Sequence, residues 1–227
     1  MAPTTENAIL QLKPDTDLTT GDAAATWRST LATISAQPGL QRLAWGQSLE
    51  NPHIVQMLID WDDATSHQAF QRSPAYAPFL ANITSLLASP PRLTHHTFSS
   101  TTASPSLDAV TTAAPVTELV SFYFPPTYAT DDFVAPWDEF ARVAAEHAAG
   151  LRGSAAAWAD EDAVEHASLK KDGAGEGRGR LFLALIGWDS VDAHMAYRDT
   201  AAFKESIVKL RALVSGVEMH HVDFKLA

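Results

Sequence analysis

Two kinds of hydrophobic pattern alternate along the chain. Residues 8–13, 40–48 and 53–61 carry apolar side chains at or near every second position, which is typical of β-strands. Between the first two, Trp27, Leu31 and Ile34 follow the spacing of three and four residues that marks one face of a helix. A second helical stripe precedes a last strand at residues 92–98. The pattern predicts the order strand, helix, strand, strand, helix, strand.

The same pattern returns in the second half of the chain. Residues 53–62 resemble residues 180–189, and both segments end in Trp-Asp. A histidine, an aromatic residue and a second aromatic residue then follow each Trp-Asp at equal spacings, and each half ends near a His-His pair. Such ordered matches indicate a tandem duplication. The matching positions are Trp61 and Trp188, His67 and His194, Phe70 and Tyr197, Tyr76 and Phe203, and the pairs His95-His96 and His220-His221.

The duplication divides the chain into two predicted domains. The first repeat covers residues 1–98, a flexible linker of Ser, Thr, Ala and Pro covers 99–115, and the second repeat covers 116–227. The second repeat carries a glycine-rich insertion at 165–179, which we interpret as a mobile loop or, alternatively, a lid.

Each repeat has the β-α-β-β-α-β order of the ferredoxin-like motif. Ile54 and Leu58 add a second apolar face to the sheet, and the other repeat's sheet is its simplest cover. We therefore predict an α+β fold with two ferredoxin-like repeats packed sheet to sheet as an intrachain dimeric α+β barrel.

Composition narrows the classes of function. Among 227 residues, 16 Lys and Arg face 27 Asp and Glu, giving a net charge of −11. This charge argues against nucleic-acid and anionic-membrane partners. Without cysteine there are no disulfides, thiolate metal sites or cysteine nucleophiles. We find no signal-peptide pattern and no apolar stretch long enough to span a bilayer, and we expect a cytoplasmic protein.

At this point the sequence resembles a known superfamily. Residues 59–62 (Ile-Asp-Trp-Asp), 67–70 (His-Gln-Ala-Phe) and 73–79 (Ser-Pro-Ala-Tyr-Ala-Pro-Phe), with their second-repeat counterparts, are similar to the dimeric α+β barrels, specifically the antibiotic-biosynthesis-monooxygenase-like and stress-responsive branch. The resemblance implies the fold but leaves the reaction open. This superfamily includes cofactor-free quinone-forming oxygenases, haem-degrading oxygenases, polyketide cyclases, decarboxylases and proteins without known activity.

Two of these subfamilies are tested by position. The haem-degrading enzymes have an iron-binding histidine where this chain has Leu80 and Ile207, so the resemblance disfavours haem. The plant-type polyketide cyclase uses a Tyr–His pair at positions that neither repeat matches in full. His53 does match a pocket-facing histidine of that cyclase, and Arg180 replaces it in the second repeat.

Several residues are candidates for acid–base chemistry. We expect His53 and Tyr76 to face each other between sheet and helices, as a base and a hydrogen-bond donor, or alternatively as a buried structural pair. Tyr197 is the second-repeat donor, while Arg180 either binds an anionic group or lies in solvent at the strand end. His95 and His220 are candidate pocket bases as inward members of their pairs. The candidate substrate-binding wall consists of Trp61, Phe70, Phe79, Arg180, Trp188 and Phe203.

Metal binding is disfavoured because adjacent histidines on a strand point to opposite faces, so two histidines and a carboxylate would have to come from distant residues. His67 and His194, which recur at one helix position, are predicted to hydrogen-bond the Trp-Asp turn. No nucleotide-binding or hydrolase motif is visible in the sequence, and we expect no cofactor and no metal.

The leading hypothesis is a cofactor-independent small-molecule enzyme of secondary metabolism. It would act on an aromatic or polyketide-like substrate by His/Tyr acid–base chemistry, through cyclisation as in a polyketide cyclase or oxygenation as in a monooxygenase. The alternative is a non-catalytic ligand-binding or stress-responsive barrel. In either case one repeat could keep a pocket while the other serves as a scaffold. Two copies of this pseudo-dimeric chain could also form a homodimer.

Overall fold

A computed structural model describes residues 3–98, 106–170 and 177–227. The chain divides into two compact units. The first unit contains the chain up to Phe98 together with Phe224–Ala227, and the second contains the chain between them.

The first unit contains one antiparallel sheet and three helices. Its elements are β1 (Thr4–Gln11), α1 (Gly21–Ser35), β2 (Leu40–Gln47), β3 (Ile54–Trp61), α2 (Ala64–Arg72), α3 (Tyr76–Leu86) and β4 (Arg92–His96). A short C-terminal strand, Lys225–Leu226, pairs with β2, and the sheet order is C-terminal strand, β2, β3, β1, β4. The core lies between sheet and helices, where Val55, Met57 and Trp61 are almost fully buried beside Trp27.

The second unit repeats this arrangement. Its elements are α4 (Leu107–Val110), β5 (Val116–Phe124), α5 (Asp131–His147), β6 (Leu151–Trp158), β7 (Val164–Glu165), β8 (Arg178–Trp188), α6 (Val191–Arg198), α7 (Ala201–Arg211) and β9 (Gly216–Val222); the C-terminal strand of the first unit is β10. The sheet order is β6, β8, β5, β9, and β7 pairs with one end of β8. The predicted α+β class with two ferredoxin-like repeats is confirmed. The packing of the two sheets against each other stays a prediction.

Part of the predicted linker is folded. Helix α4 lies within residues 99–115, and Val110 and Thr111 are fully buried. The helix packs beside Gly187 on β8, where an added Cβ atom would come within 3.0 Å of both Val110 and Ala114. The missing side chain at Gly187 therefore makes room for this segment. Residues 99–105 of the linker lie outside the described residues.

The position of Gly187 shows how the two repeats diverged. Gly187 pairs with Gly153 on β6, whereas the corresponding pair in the first unit is Asp60 on β3 and Arg42 on β2. The Nε atom of Arg42 lies 2.6 Å from Asp60, which also accepts a hydrogen bond from the Thr5 hydroxyl at 2.7 Å. In the first repeat an ion pair occupies this position. In the second repeat both residues are glycines, and no side chain occupies it.

The insertion at 165–179 is tied to the sheet at both described ends. Glu165 pairs with Arg178 in the β7–β8 ladder, and the His166 ring stacks on Tyr123 with the ring centroids 3.7 Å apart. Tyr123 alternates with Phe122, which faces the helices, so the contact with His166 lies on the opposite face of the sheet. The described flanks therefore do not support a lid over the space beneath the helices, and residues 171–176 lie outside the described residues. None of the described helices has the length and apolar character needed to cross a membrane.

Candidate functional site

The second unit contains an apolar cavity of about 120 Å³ between sheet and helices. An apolar cavity of about 150 Å³ is enough to hold a benzene ring, so this space approaches the size of one aromatic ring. It is smaller than the roughly few hundred cubic ångströms expected of an enclosed substrate pocket. Its lining residues include Glu118, Val120, Phe122, Trp137, Phe140, Ile186, Trp188, His194, Tyr197, Arg198, Phe203, Ile207, Arg211 and Met219.

The first unit has a smaller cavity of about 60 Å³ at the equivalent place. It is lined by Glu6, Ala8, Leu10, Ile34, Met57, Ile59, Trp61, His67, Phe70, Tyr76, Phe79, Leu80, Ile83, Pro91 and Leu93. With twice the space, the second unit offers the better candidate for a binding site.

A chain of three ionisable side chains lies at the end of the larger cavity. Glu118 on β5 accepts a hydrogen bond from the Trp188 indole at 3.0 Å, and the same carboxylate oxygen lies 3.4 Å from Nε2 of His194. The other ring nitrogen of His194 lies 2.8 Å from Nε2 of His221 on β9. All three side chains belong to buried residues. We call Glu118, His194 and His221 the second Glu–His–His chain.

The first unit contains the same arrangement with nearly the same distances. Glu6 accepts from the Trp61 indole at 3.2 Å and lies 3.4 Å from Nε2 of His67. Nδ1 of His67 lies 2.9 Å from Nε2 of His95. Glu6, His67 and His95 form the first Glu–His–His chain.

The strands and helices explain why these groups meet. Glu6 lies opposite His95 in the β1–β4 register, and Glu118 lies opposite His221 in the β5–β9 register. Helices α2 and α6 then place a histidine over the tryptophan that ends β3 or β8, with ring centroids 5.4 Å and 4.9 Å apart. The predicted hydrogen bond from His67 and His194 to the Trp-Asp turn is replaced by contacts with a carboxylate and a second imidazole.

Burial shifts the pKa values of Glu6 and His67 in the first Glu–His–His chain. Desolvation raises the pKa of Glu6, against the opposing effects of the Trp61 hydrogen bond and the nearby His95. Desolvation, together with the charge of His95, lowers the pKa of His67 to about 4. His67 is therefore neutral near pH 7, and one of its ring nitrogens is a proton acceptor.

Glu6, His67 and His95 are also the described residues best placed to hold a divalent metal ion, because their ligand atoms lie within 4.8 Å of one another. The two imidazole nitrogens, however, are 2.9 Å apart while the ring centroids are 5.1 Å apart, so the nitrogens point at each other. Two nitrogens in this orientation share one proton instead of converging on a metal. A metal ion would have to displace that proton and turn one of the rings.

Beside each Glu–His–His chain lie one tyrosine and one phenylalanine, and their positions are swapped between the two repeats. The rings of Phe70 and Tyr76 meet edge to face at 5.3 Å, and those of Tyr197 and Phe203 do so at 5.4 Å. In the second unit the hydroxyl therefore belongs to the residue on the first helix of the pair, Tyr197 on α6. In the first unit it belongs to the residue on the second helix, Tyr76 on α3. The Tyr197 hydroxyl is buried and has no hydrogen-bond partner among the described residues. Burial raises its pKa, against a smaller opposing effect of the nearby Ser206 hydroxyl. Tyr197 is thus a neutral hydrogen-bond donor at the cavity.

Two predicted site residues lie outside the cavities. His53 is exposed in the turn before β3, where its backbone N–H donates to the Asn51 side chain at 3.1 Å. The turn extends one residue further than the hydrophobic pattern predicts, which places His53 away from Tyr76. Arg180 is half-buried near the start of β8, outside the cavity lining, and its Nε donates to the Pro126 carbonyl at 3.4 Å, which is closer to the alternative of a position at the strand end. Both were wrongly placed on the pocket wall.

The histidine pairs were aligned one residue out of register. His95 lies opposite Glu6 and contacts His67, but it does not itself line the first cavity. His220 lies opposite Leu119, on the face of the second sheet turned away from the cavity. The true counterpart of His95 is His221. The remaining predicted residues do lie on cavity walls: Trp61, Phe70, Tyr76 and Phe79 in the first unit, and Trp188, Tyr197 and Phe203 in the second.

Sequence reasoning missed the glutamates. Glu6 falls in phase with Ala8 and Leu10 on β1, and Glu118 in phase with Val120 and Phe122 on β5. In both repeats a glutamate occupies a position of the first strand that the two-residue alternation assigns to the buried face. This could have revealed the site from the sequence, since a buried charge requires partners.

Comparisons with known proteins agree with this architecture. Residues 8–82 match the family model described as antibiotic biosynthesis monooxygenase. No sequence among curated proteins matches the chain. An anthrone oxidase-like protein of known structure superposes with a TM-score of 0.69 and 15% identity, covering 100% of this chain and 93% of that one.

Two bacterial proteins provisionally assigned as monooxygenases show the same fold. The one from Fusobacterium nucleatum has a TM-score of 0.62 and 9% identity, covering 99% of this chain and 94% of its own. The one from Lactobacillus acidophilus has a TM-score of 0.59 and 8% identity, covering 100% and 96%. Residues 8–82 are therefore similar to the antibiotic-biosynthesis-monooxygenase family, and the second unit repeats the α+β arrangement of the first.

Proposed function

We propose that the second unit is the active site of a small-molecule oxygenase of secondary metabolism, acting on an aromatic or polyketide-like substrate without a cofactor. The observation that carries the proposal is the buried Glu118 carboxylate on the wall of an apolar cavity, backed by His194 and His221 and close to the Tyr197 ring system. An apolar cavity with a few polar groups at one end is the usual form of a small-molecule site.

The geometry suits removal of a proton from carbon or oxygen beside an aromatic ring. In this mechanism Glu118 takes the proton, because a carboxylate removed from water is more basic than one in solvent. His194 and Trp188 hold the carboxylate in place, and His221 fixes the His194 ring from its other side. The Tyr197 hydroxyl donates a hydrogen bond to the oxygen on which negative charge develops.

Oxygenation then follows with dioxygen as the co-reactant. For a methylene group between two aromatic rings, loss of one proton to Glu118 gives a delocalised carbanion, which transfers an electron to dioxygen and combines with it to form a peroxide anion. This anion takes the proton back from Glu118 and becomes a hydroperoxide. Loss of water from the hydroperoxide leaves a carbonyl group, so the methylene compound and one O₂ yield the ketone and one H₂O. No electrons from outside are required.

The comparisons support this reaction type over the alternatives. The family model over residues 8–82 is that of antibiotic biosynthesis monooxygenases, and an anthrone oxidase-like protein shares the fold over the full chain. Cyclisation of a poly-β-keto chain begins with the same proton removal, so it remains the second candidate reaction.

The test is oxygen consumption by the metal-free, purified chain with anthrone and a panel of dihydroxynaphthalenes, followed by the absorbance of the quinone product. We expect turnover above the spontaneous rate, and a loss of about 100-fold or more in His194→Gln and His221→Gln. Near-ultraviolet circular dichroism checks that both variants fold. Equal rates in wild type and both variants, or no oxygen uptake with any compound, would overturn the proposal in favour of a non-catalytic binding protein.

A further inference from the structure

Two arginines line the cavity of the second unit. Arg198 ends helix α6 and Arg211 ends helix α7, and both contribute to the cavity wall. The Arg198 guanidinium lies 5.9 Å from the centre of the Phe203 ring, which is another part of the wall. This cation–π contact holds the guanidinium over the apolar surface.

Neither guanidinium is neutralised by a carboxylate within residues 3–98, 106–170 and 177–227. The polar contact recorded for Arg198 is a weak one of 3.9 Å from its guanidinium to the Met195 sulfur, and Arg211 takes part in no ion pair there. This is unusual in a chain with a net charge of −11, in which acidic groups outnumber basic ones. The positive charge at the cavity is therefore available to a ligand.

The first unit provides an internal comparison. The spacing that relates His67 to His194 relates Gln71 to Arg198 and Thr84 to Arg211. No lysine or arginine lines the described cavity of the first unit. The positive charges are thus specific to the repeat with the larger cavity, and the fold alone does not require them.

We propose that the second cavity selects apolar carboxylic acids, with the carboxylate bound by Arg198 and Arg211 and the apolar part buried beside Trp188 and Phe122. This inference rests on the proposed function, to which it adds the substrate class. Guanidinium groups bind carboxylates through paired hydrogen bonds. In its ionised form Glu118 repels the ligand carboxylate, which directs that carboxylate towards the arginines and leaves the apolar end at the Glu–His–His chain.

The test compares 3-phenylpropanoate with 3-phenylpropanamide, which has the same shape but no charge. Isothermal titration near pH 7 and low ionic strength measures both affinities for the full chain. We expect the acid to bind about tenfold more tightly than the amide or better, and the ratio to fall to about one in the Arg198→Gln, Arg211→Gln double variant. Adding about 0.5 M salt reduces the ratio in the wild type, since exposed charges are screened.

The matched control is the Lys204→Gln, Lys209→Gln double variant. Both lysines lie on α7 outside the cavity lining, so the same charge is removed without changing the wall. We expect its ratio to equal that of the wild type. Equal affinity for acid and amide, absence of binding by the acid, or an equal loss in the lysine control would overturn the inference.

The binding test is independent of turnover. Acid selectivity without oxygenation of any aromatic compound contradicts the proposed reaction alone. Oxygenation with equal affinity for acid and amide contradicts the substrate class alone.

Discussion

The Nδ1 atom of His194 lies 2.8 Å from the Nε2 atom of His221, and His67 and His95 repeat this contact at 2.9 Å. The two repeats have therefore kept their Glu–His–His chains while the cavity walls around them diverged. Differences in charge, cavity size and hydroxyl position separate a candidate working unit from its duplicate. Each second-unit residue thus has a natural control in the first unit.

The first prediction concerns the glutamates. In Glu118→Gln the side-chain oxygen still accepts the Trp188 indole N–H, but the amide cannot take a proton from substrate. We expect the rate of oxygenation to fall by about 100-fold or more with little change in thermal unfolding. Glu6→Gln makes the same change in the first unit and should keep the wild-type rate. An equal loss in both variants would contradict the assignment of the active site to the second unit.

The second prediction concerns the exchanged hydroxyl. Tyr197→Phe reproduces the phenylalanine that the first repeat has at Phe70, so we expect the packing to be preserved and the unfolding free energy to change by less than about 1 kcal/mol. Losing the donor to the developing oxyanion should lower the turnover number by about tenfold or more. Tyr76→Phe, which reproduces Phe203 in the first unit, is the control and should leave turnover unchanged. Steady-state kinetics of the three proteins settles the point.

Hydrophobic periodicity predicted most elements to within a few residues, because one face of each strand and helix is buried in each unit. The glycine stops at Gly39 and Gly150 both adopt positive φ, as their positions after the helices suggest. Failures occurred where a local contact decides the geometry. His53 follows a two-residue alternation with Val55, but its N–H bonds to Asn51, so it belongs to the turn.

The register of the last strands could not be predicted from composition. The His-His pairs suggest His95 and His220 as counterparts, whereas the ladders make His95 equivalent to His221. One residue of slip moves a side chain to the other face of a sheet, so only the pairing with Glu6 and Glu118 decides the match. The position of His220 on the opposite face of the sheet contradicts the catalytic role predicted for it. The roles of Tyr76, Tyr197 and His95 stay predictions, and so do the metal-free and cofactor-free chemistry and the sheet-to-sheet packing.

The third prediction compares two arginine–aspartate pairs. Arg42 and Asp60 are nearly buried in the first unit, while Arg152 and Asp189 form an exposed ion pair in the second. Arg42→Gln leaves a buried carboxylate short of its partner, and we expect a loss of about 2 kcal/mol of unfolding free energy. Arg152→Gln should cost less than about 0.5 kcal/mol because solvent screens that pair. Equal effects in urea unfolding would show that burial does not distinguish them.

The last prediction is a pH dependence of the first unit. The pKa of His67 is about 4 in the folded chain, against 6.5 for an ordinary histidine. Between these values the unfolded chain binds a proton that folded His67 does not. The stability supplied by neutral His67 is therefore complete above pH 6.5 and is lost as pH falls towards 4, by up to about 3 kcal/mol in total. Glu6 acts in the opposite direction, because its raised pKa favours the folded state at low pH.

The two effects are separated by measuring unfolding against pH in wild type and His67→Gln. The variant should lose the decline between pH 6.5 and 4 and keep the contribution of Glu6. A direct measurement is the NMR titration of the His67 ring, assigned by its absence from the variant. The ring should stay neutral down to about pH 5. Protonation of His67 near pH 6.5 would mean that solvent reaches the ring, and that the first Glu–His–His chain is not closed off from water.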